Sequence, residues 1–260
     1  MGTLAKASPG DVFTLANGAL GFLAITYILD RSFLVATALL LLSMMMDGLD
    51  GLMARKFGSK HTMGQVLDSI SDSISFAIAP AALVYAEFHA PGEGLLLESL
   101  DSLVALLCAV AVLSAGLFRL ARFSAGGYRL SHFVGMPAPA AALLILLVCL
   151  LFGTTEGSEA SRYYFSFGEE AWVVFLTALA SSYLMVSRLK YPKMRGWMNA
   201  MAGLALLLAL LPITAGLALV DDQDLYTASS RTAASIALAL MLLYVFGGPV
   251  YEKLEGDEGR

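Results

Sequence analysis

Apolar residues occur in long runs along this chain, and short stretches between the runs contain most of the charged residues. A run of this length approaches the roughly 20 residues that an α-helix needs to cross a bilayer. The pattern predicts eight membrane-spanning helices, at approximately Val12–Leu29, Phe33–Ala54, Gly64–Phe88, Leu100–Phe123, Gly135–Phe152, Ala171–Val186, Trp197–Val220 and Thr232–Val250. The predicted fold class is therefore all-α, a polytopic bundle of membrane helices. Pro80 is expected to bend the third helix, because proline has no backbone N–H.

The composition supports a membrane protein. Hydrophobic residues make up 58% of the 260 residues and charged residues only 14%, and the mean hydropathy is +0.75, which is outside the range of soluble domains. We expect one integral membrane domain over residues 1–260, with a catalytic core at about 12–190 and two additional helices at about 197–250. Cys108 and Cys149 lie in apolar runs, so neither a disulfide nor a zinc site is expected. The net charge of −5 gives no indication of nucleic-acid binding.

Basic residues are distributed unevenly between alternate loops. In a topology of eight helices, only Arg31, Arg162 and Arg231 fall on one side, and the rest of the 16 lysines and arginines fall on the other. The side with more basic residues is expected in the cytoplasm. The sequence thus predicts a multi-pass protein of the cell membrane with both termini at the cytoplasmic face.

Four aspartates lie at the ends of the second and third predicted helices: Asp47, Asp50, Asp68 and Asp72. A charged side chain within a membrane segment costs about 2.5–3.5 kcal/mol on insertion scales, which favours a functional role. The first two are three residues apart and the last two are four apart, so each pair shares a helix face. The short link between the second and third helices allows the two faces to converge into an all-oxygen site for Mg²⁺ or Mn²⁺. Four carboxylates suffice for two such ions, an arrangement used in phosphoryl chemistry.

Small, polar and basic residues accompany the aspartates. Gly51 and Ala54 leave room for a ligand on the same helix face, and Arg55 can bind phosphate oxygens. Thr14 and Asn17 lie three residues apart at the same end of the first helix. From spacing alone, these two side chains either hydrogen-bond a carboxylate or phosphate in the acidic site or form a polar cap at the membrane interface.

The segment that contains the four aspartates fits the pattern D-x2-D-G-x2-A-R-x8-G-x3-D-x3-D. Its eight fixed positions are Asp47, Asp50, Gly51, Ala54, Arg55, Gly64, Asp68 and Asp72. The pattern resembles the signature of the CDP-alcohol phosphatidyltransferases. The segments LDSISDSISFAIAPAALVY, RLARF and VGMPAPAAA resemble the phosphatidylserine synthase branch of that family, and the likeness covers about residues 12–190. One departure is RFS, with Ser124 where that branch more usually has asparagine.

The resemblance implies transfer of a phosphatidyl group from CDP-diacylglycerol to L-serine, giving phosphatidylserine and CMP in phospholipid biosynthesis. It implies that Asp47, Asp50 and Asp68, with Asp72, hold two Mg²⁺ or Mn²⁺ ions, and that Asp72 is the general base that takes the serine hydroxyl proton. The residues implied for CDP-lipid binding are Gly51, Ala54, Arg55, Gly64, Thr14 and Asn17. The resemblance also implies a homodimer with its active site at the cytoplasmic face.

Three arginines lie near the same end of the fourth predicted helix: Arg119 and Arg122 within it and Arg129 in the loop that follows. They either contact anionic lipids at the cytoplasmic face or form a pocket for phosphate or for the carboxylate of serine. His132, in the loop that follows, is expected to be solvated.

Other functions remain open at this point. Within the family, the donor can be CDP-archaeol, as in an archaetidylserine synthase, or the acceptor can be glycerol 3-phosphate or inositol phosphate, which would require further phosphate-binding cations. A more remote alternative is a divalent-cation transporter, although the sequence contains no second acidic pair of the kind that a repeated half would supply. An intramembrane aspartyl protease would need one aspartate on each of two helices rather than two pairs.

Overall fold

A computed structural model describes residues 9–57, 62–88, 100–126, 132–153, 170–192, 203–210, 213 and 223–258. Its helices are α1 (Pro9–Leu29), α2 (Phe33–Phe57), α3 (Thr62–Ser73), α4 (Ala79–Phe88), α5 (Leu100–Ser124), α6 (Ala138–Phe152), α7 (Ala171–Val186), α8 (203–210) and α9 (Gln223–Glu258). Two short strands are β1 (His132–Val134) and β2 (Lys190–Pro192).

The predicted all-α membrane bundle is confirmed, whereas the count of eight spans is not. Five helical stretches in the described residues are long and apolar enough to cross a membrane: Gly10–Leu29, Phe33–Met53, Met63–Phe88, Ser102–Ser124 and Arg231–Lys253. The fifth and sixth predicted spans are shorter apolar helices, α6 with 15 residues and α7 with 16. The predicted span Trp197–Val220 lies largely outside the described residues. Large apolar side chains such as Phe22, Leu107 and Phe246 are exposed, as expected of surfaces that contact lipid.

Helix α6 lies at the centre of the bundle. Almost every side chain from Ala138 to Leu151 is buried, in agreement with a sequence that is apolar on all sides of the helix. Cys149 on this helix and Cys108 on α5 are free thiols, and both are buried. The shorter helix is therefore surrounded by other helices rather than by lipid.

The third predicted span is one continuous helical rod with a π-helical turn in its middle, at Ile74–Ile78. The N–H of Ala79 donates to the carbonyl of Ile74, five residues earlier. Pro80 follows directly and has no N–H with which to continue the α-helical hydrogen bonds. The irregularity expected at Pro80 thus takes the form of a π turn just before the proline, and turns of this kind often accompany functional sites.

The strand pair was not predicted from the sequence. β1 and β2 are antiparallel, with His132 opposite Pro192, Phe133 opposite Tyr191 and Val134 opposite Lys190. The expectation that His132 is a solvated loop residue is wrong, because its side chain is only 19% exposed within the pair. Strands of three residues are too short to produce a recognisable alternation of polar and apolar residues.

Candidate active site

The acidic residues of α2 and α3 converge. Asp47, Asp50 and Asp68 each place one carboxylate oxygen within 4.8 Å of the others. Asp50 is buried, and Asp47 and Asp68 are partly buried. Carboxylates at this distance repel one another unless a cation neutralises them. The three side chains therefore form a cluster that can hold a divalent cation.

The donor set of this acidic cluster fits a hard cation. All the clustered atoms are carboxylate oxygens, which Mg²⁺ and Mn²⁺ prefer, and among the described residues no histidine or cysteine joins them. The Oδ1 atom of Asp68 is buried and has no hydrogen-bond partner among the described residues. A buried carboxylate oxygen ordinarily has a donor or a metal as partner, so this atom is suited to coordinate an ion.

Asp72 lies outside the group of three and has a different partner. It is four residues after Asp68 on the same face of α3, and its Oδ1 accepts a hydrogen bond of 3.0 Å from Nδ2 of Asn17. Thr14, one turn earlier on α1, donates through Oγ1 to Oδ2 of Asp50 at 2.8 Å. Thr14 and Asn17 are 4% and 0% exposed, so the interpretation as an interfacial cap is wrong. Both side chains face the carboxylates, as the alternative interpretation predicted.

Helix α1 reaches the aspartates because its backbone approaches α3 and the π turn closely. A Cβ atom on Gly18 would lie 3.0 Å from Oγ of Ser71, and one on Gly21 would lie 3.0 Å from the backbone Cα of Ser75. Oγ of Ser75 donates to the backbone carbonyl of Asn17 at 3.0 Å. From the sequence, Ser75 is expected to be one of several small packing residues in a helix interface, and its partner on α1 is not predicted. Its one available signal was a serine four residues after Ser71, a spacing that places both on one helix face.

A second feature of the site is a cavity of about 290 Å³ beside the end of α5 and β1. Arg119 and Arg122 are its cationic lining residues. The Nε atom of Arg119 donates to the carbonyl of Met136 at 3.2 Å, and its guanidinium lies over the rings of Phe123 and Phe133, at 5.1 and 5.3 Å. Arg119 is 5% exposed, which excludes a simple role as a solvated contact to lipid headgroups.

Arg122 is bound to backbone carbonyls at the ends of two other elements. It donates to the carbonyl of Val134 in β1 and to those of Met185, Val186 and Ser187 at the end of α7, the last three at 2.9, 3.3 and 3.5 Å. Gly135 next to β1 has φ +81°, and a Cβ there would collide with the carbonyl of Met185 and with Arg122. Arg122 therefore joins α5, β1 and α7 at one end of the bundle.

The acidic cluster and the cavity lie at the same end of the molecule. Ser69, next to Asp68, and Ser124, the last residue of α5, have their Oγ atoms 2.7 Å apart. Ser124 directly precedes Ala125, which lines the cavity. A substrate at the carboxylates can therefore lie next to a substrate in the cavity.

The structure describes the other predicted site residues only in part. Gly51 faces open space, and Gly64 lies in the first turns of α3. Ala54 and Arg55 belong to α2, but their side chains are outside the described part of the chain, and Arg129 lies outside it altogether.

Comparison with known proteins gives a consistent result. Residues 9–183 match the sequence model of the CDP-alcohol phosphatidyltransferase family. A CDP-diacylglycerol–serine O-phosphatidyltransferase of Methanocaldococcus jannaschii is 36% identical over 183 residues, which cover 70% of this chain and 73% of the relative. The archaetidylserine synthase of Methanothermobacter thermautotrophicus is 34% identical, covering 72% of this chain and 70% of the relative. A CDP-diacylglycerol–serine O-phosphatidyltransferase of Bacillus subtilis is 29% identical, covering 70% and 88%. Because the family match spans more than half of its length, this chain belongs to the CDP-alcohol phosphatidyltransferase family.

Proposed function

We propose that this protein transfers a phosphatidyl group from CDP-diacylglycerol to L-serine, giving phosphatidylserine and CMP in phospholipid synthesis. The convergence of Asp47, Asp50 and Asp68 within 4.8 Å carries the proposal, because a pyrophosphate donor requires concentrated positive charge. The names of the relatives, most of them serine O-phosphatidyltransferases, support serine as the acceptor.

The three clustered aspartates would hold two Mg²⁺ or Mn²⁺ ions, with Asp72 as a further ligand or as the residue that faces the acceptor. When bound, the metal supplies charge neutralisation for the pyrophosphate and for CMP as it leaves. In the reaction, the serine hydroxyl oxygen bonds to the phosphorus of the phosphatidyl group. The bond from that phosphorus to the bridging oxygen breaks, and its electron pair stays on CMP. Asp72 accepts the serine proton, and Asn17 holds the carboxylate in place through Oδ1.

The CMP portion of the donor is assigned to the face of α2 that continues from the aspartates. Gly51 faces open space there, which allows the donor to approach the helix backbone. We assign Ala54, Arg55 and Gly64 to the same subsite by their place in the family pattern. Thr14 and Asn17 border this subsite through their bonds to Asp50 and Asp72.

The acceptor is assigned to the cavity that Arg119 and Arg122 line. A carboxylate distinguishes serine from glycerol and inositol, and a guanidinium is the side chain best matched to it. Arg119 is the better candidate for this contact, because the guanidinium of Arg122 donates to four backbone carbonyls. Arg129 stays a candidate on sequence grounds alone.

The wider architecture is part of the proposal. We propose a single membrane domain of eight spans in the cell membrane, with both termini and the active site at the cytoplasmic face. Arg119 and Arg122 lie at the same end as the aspartates, and Arg31 lies at the other end of α1. This distribution fits the rule that basic residues are enriched on the cytoplasmic side of a membrane protein. We also propose a homodimer, by analogy with the family.

A second donor is supported by one specific finding. One similar protein is named an archaetidylserine synthase, so CDP-archaeol is the alternative to CDP-diacylglycerol. The two donors share the cytidine and pyrophosphate that the acidic cluster would bind and differ in their tails. We therefore propose the same chemistry for both donors.

The direct test is product identification. Membranes that contain the protein are incubated with labelled L-serine and either CDP-lipid, and the lipid product and CMP are measured. We expect a serine phospholipid and an equal amount of CMP, with excess EDTA abolishing both and Mg²⁺ or Mn²⁺ restoring them. Product from glycerol 3-phosphate in preference to serine would contradict the choice of acceptor, and full activity in EDTA would contradict the metal site.

The matched variants are Asp68→Asn and Asp30→Asn. Asp68→Asn removes one anion from the acidic cluster and should abolish turnover while the protein stays folded in detergent. Asp30 is an exposed acid between α1 and α2, at the far end of α1, so Asp30→Asn should leave turnover unchanged.

A further inference from the structure

We propose that the C-terminal helix α9 determines how well the enzyme binds its acceptor, by holding the β1–β2 pair against the arginine-lined cavity. This inference rests on the proposed function in one respect, the assignment of that cavity to the acceptor. Helix α9 lies entirely outside the part of the chain, residues 9–183, that matches the family. We therefore infer its role from the contacts that α9 makes.

The first contact joins α9 to β2. Tyr191 of β2 is fully buried, and its ring lies with its centroid 5.8 Å from that of Tyr244 on α9. Gly248 is four residues further along α9, and a Cβ atom there would lie 3.3 Å from both Tyr191 and Pro192. Residues four apart lie on the same helix face. The missing side chain at Gly248 thus lets the backbone of α9 pack directly on β2.

The second contact joins α9 to β1. Glu252 lies four residues beyond Gly248, and its Oε1 is 3.8 Å from Nδ1 of His132. Tyr244, Gly248 and Glu252 consequently form a stripe along α9 that contacts both strands, which we call the α9 stripe. His132 also lines the cavity together with Arg119 and Arg122, so the stripe lies directly behind the cavity wall.

The strand pair supports both arginines of the cavity. Phe133 of β1 lies beneath the guanidinium of Arg119 at 5.3 Å, and the carbonyl of Val134 accepts a hydrogen bond from Arg122. Moving β1 therefore changes the positions of both cations. The carboxylates lie on α2 and α3, whereas the contacts of the α9 stripe described above are with β1 and β2. Changes in the stripe should therefore leave donor binding unaffected.

The test uses two neighbouring glycines on α9. Gly248→Leu inserts a side chain between α9 and β2, whereas Gly247→Leu is the matched control, because a Cβ at Gly247 meets nothing within 4 Å. We expect Gly248→Leu to raise the serine KM by about ten- to a hundredfold, the effect of misplacing a binding group by roughly an ångström. The KM for CDP-diacylglycerol and all constants of Gly247→Leu should stay within about twofold of wild type.

A second readout does not depend on activity. Pro192→Cys places a thiol in the buried strand beneath α9. It is made in a variant in which the two native cysteines have been replaced by alanine. Maleimide labelling should be slow with wild-type Gly248 or with Gly247→Leu, and faster with Gly248→Leu. If Gly248→Leu does not fold, Gly248→Ala supplies a milder version of the same change. As a further pair, Tyr244→Ala removes the ring contact with Tyr191, and Tyr244→Phe keeps it.

Two results would overturn the proposal. One is faster labelling at position 192 with an unchanged serine KM, since the strand pair would then move without affecting the acceptor. The other is equal labelling in the two leucine variants, since α9 would then not hold the strands. If wild type instead uses another alcohol, the proposed function has failed, and the same comparison of KM values is made with that alcohol.

Discussion

Hydrogen bonds from α1 orient two of the four aspartates, and these bonds give the most specific predictions for single residues. Thr14→Val removes the donor to Oδ2 of Asp50 while keeping the shape of the side chain. Loss of such a supporting bond typically weakens a metal site about ten- to a hundredfold. We expect the Mn²⁺ concentration for half-maximal binding, measured by electron paramagnetic resonance, to rise by that factor. Thr26→Val is the control, because within the described part of the chain the side chain of Thr26 donates to the carbonyl of Leu23, at the far end of α1.

Asn17 has a different partner and should have a different effect. Asn17→Ala leaves Oδ1 of Asp72 without its donor and allows the carboxylate to rotate. If Asp72 takes the proton from serine, kcat should fall about ten- to a hundredfold, whereas the KM for each substrate changes little. Steady-state kinetics with both substrates varied measures this. A rise in KM for the CDP-lipid at constant kcat would instead assign Asn17 to donor binding.

The two arginines of the cavity are expected to separate into a binding and a structural residue. Arg119→Ala should raise the serine KM strongly, and because it also removes the donor to the carbonyl of Met136, a moderate fall in the unfolding temperature is expected. Arg122→Ala leaves the carbonyls of Val134 and Met185 without their donor and should lower the unfolding temperature in detergent. Kinetics and thermal unfolding of both variants test the distinction. An unchanged serine KM in Arg119→Ala would place the carboxylate site elsewhere.

At the scale of the elements, the close contact between α1 and α3 determines where Thr14 and Asn17 lie. Gly21→Ala would bring a methyl group to 3.0 Å from the backbone of Ser75, and overpacking of this kind costs about 1–3 kcal/mol. The variant should therefore unfold at a lower temperature and bind Mn²⁺ more weakly. Gly203→Ala on α8 is the control, because a Cβ there meets nothing within 4 Å and alanine favours the helix. Equal unfolding temperatures for the two variants would contradict this role of Gly21.

At the scale of the whole molecule, the distribution of basic residues predicts which end of the bundle faces the cytoplasm. Cysteines introduced one at a time at Gly126 and at Asp30 would occupy exposed positions at opposite ends. In intact cells, an impermeant thiol reagent should label Asp30→Cys and not Gly126→Cys, and permeabilised cells should label both. The buried native cysteines give little background. Labelling of Gly126→Cys in intact cells would reverse the proposed orientation.

Several properties of this protein follow from the sequence by itself. Long apolar runs determine helical membrane segments, because a bilayer leaves no other way to satisfy the backbone of one continuous segment. The positions of Asp47, Asp50, Asp68 and Asp72 are likewise local information, since spacings of three and four residues place side chains on one helix face. The acidic cluster could therefore be predicted from the sequence alone, whereas the spacing of Thr14 and Asn17 left two alternatives for the direction of their side chains.

Other properties depend on contacts between residues that are distant in the chain, and only the tertiary structure decided them. The π turn before Pro80 places Ser75 against α1, and no local pattern indicates that partner. The pairing of β1 with β2 joins strands more than 50 residues apart in sequence, each too short for a periodic signal. Arg119 and Arg122 look alike in sequence, because both lie in the last turns of an apolar helix with a spacing of three. The packing of β1 and α7 around the end of α5 separates them, since Arg122 lies within reach of backbone carbonyls that have lost their helical donors, whereas Arg119 lies over two aromatic rings in the cavity.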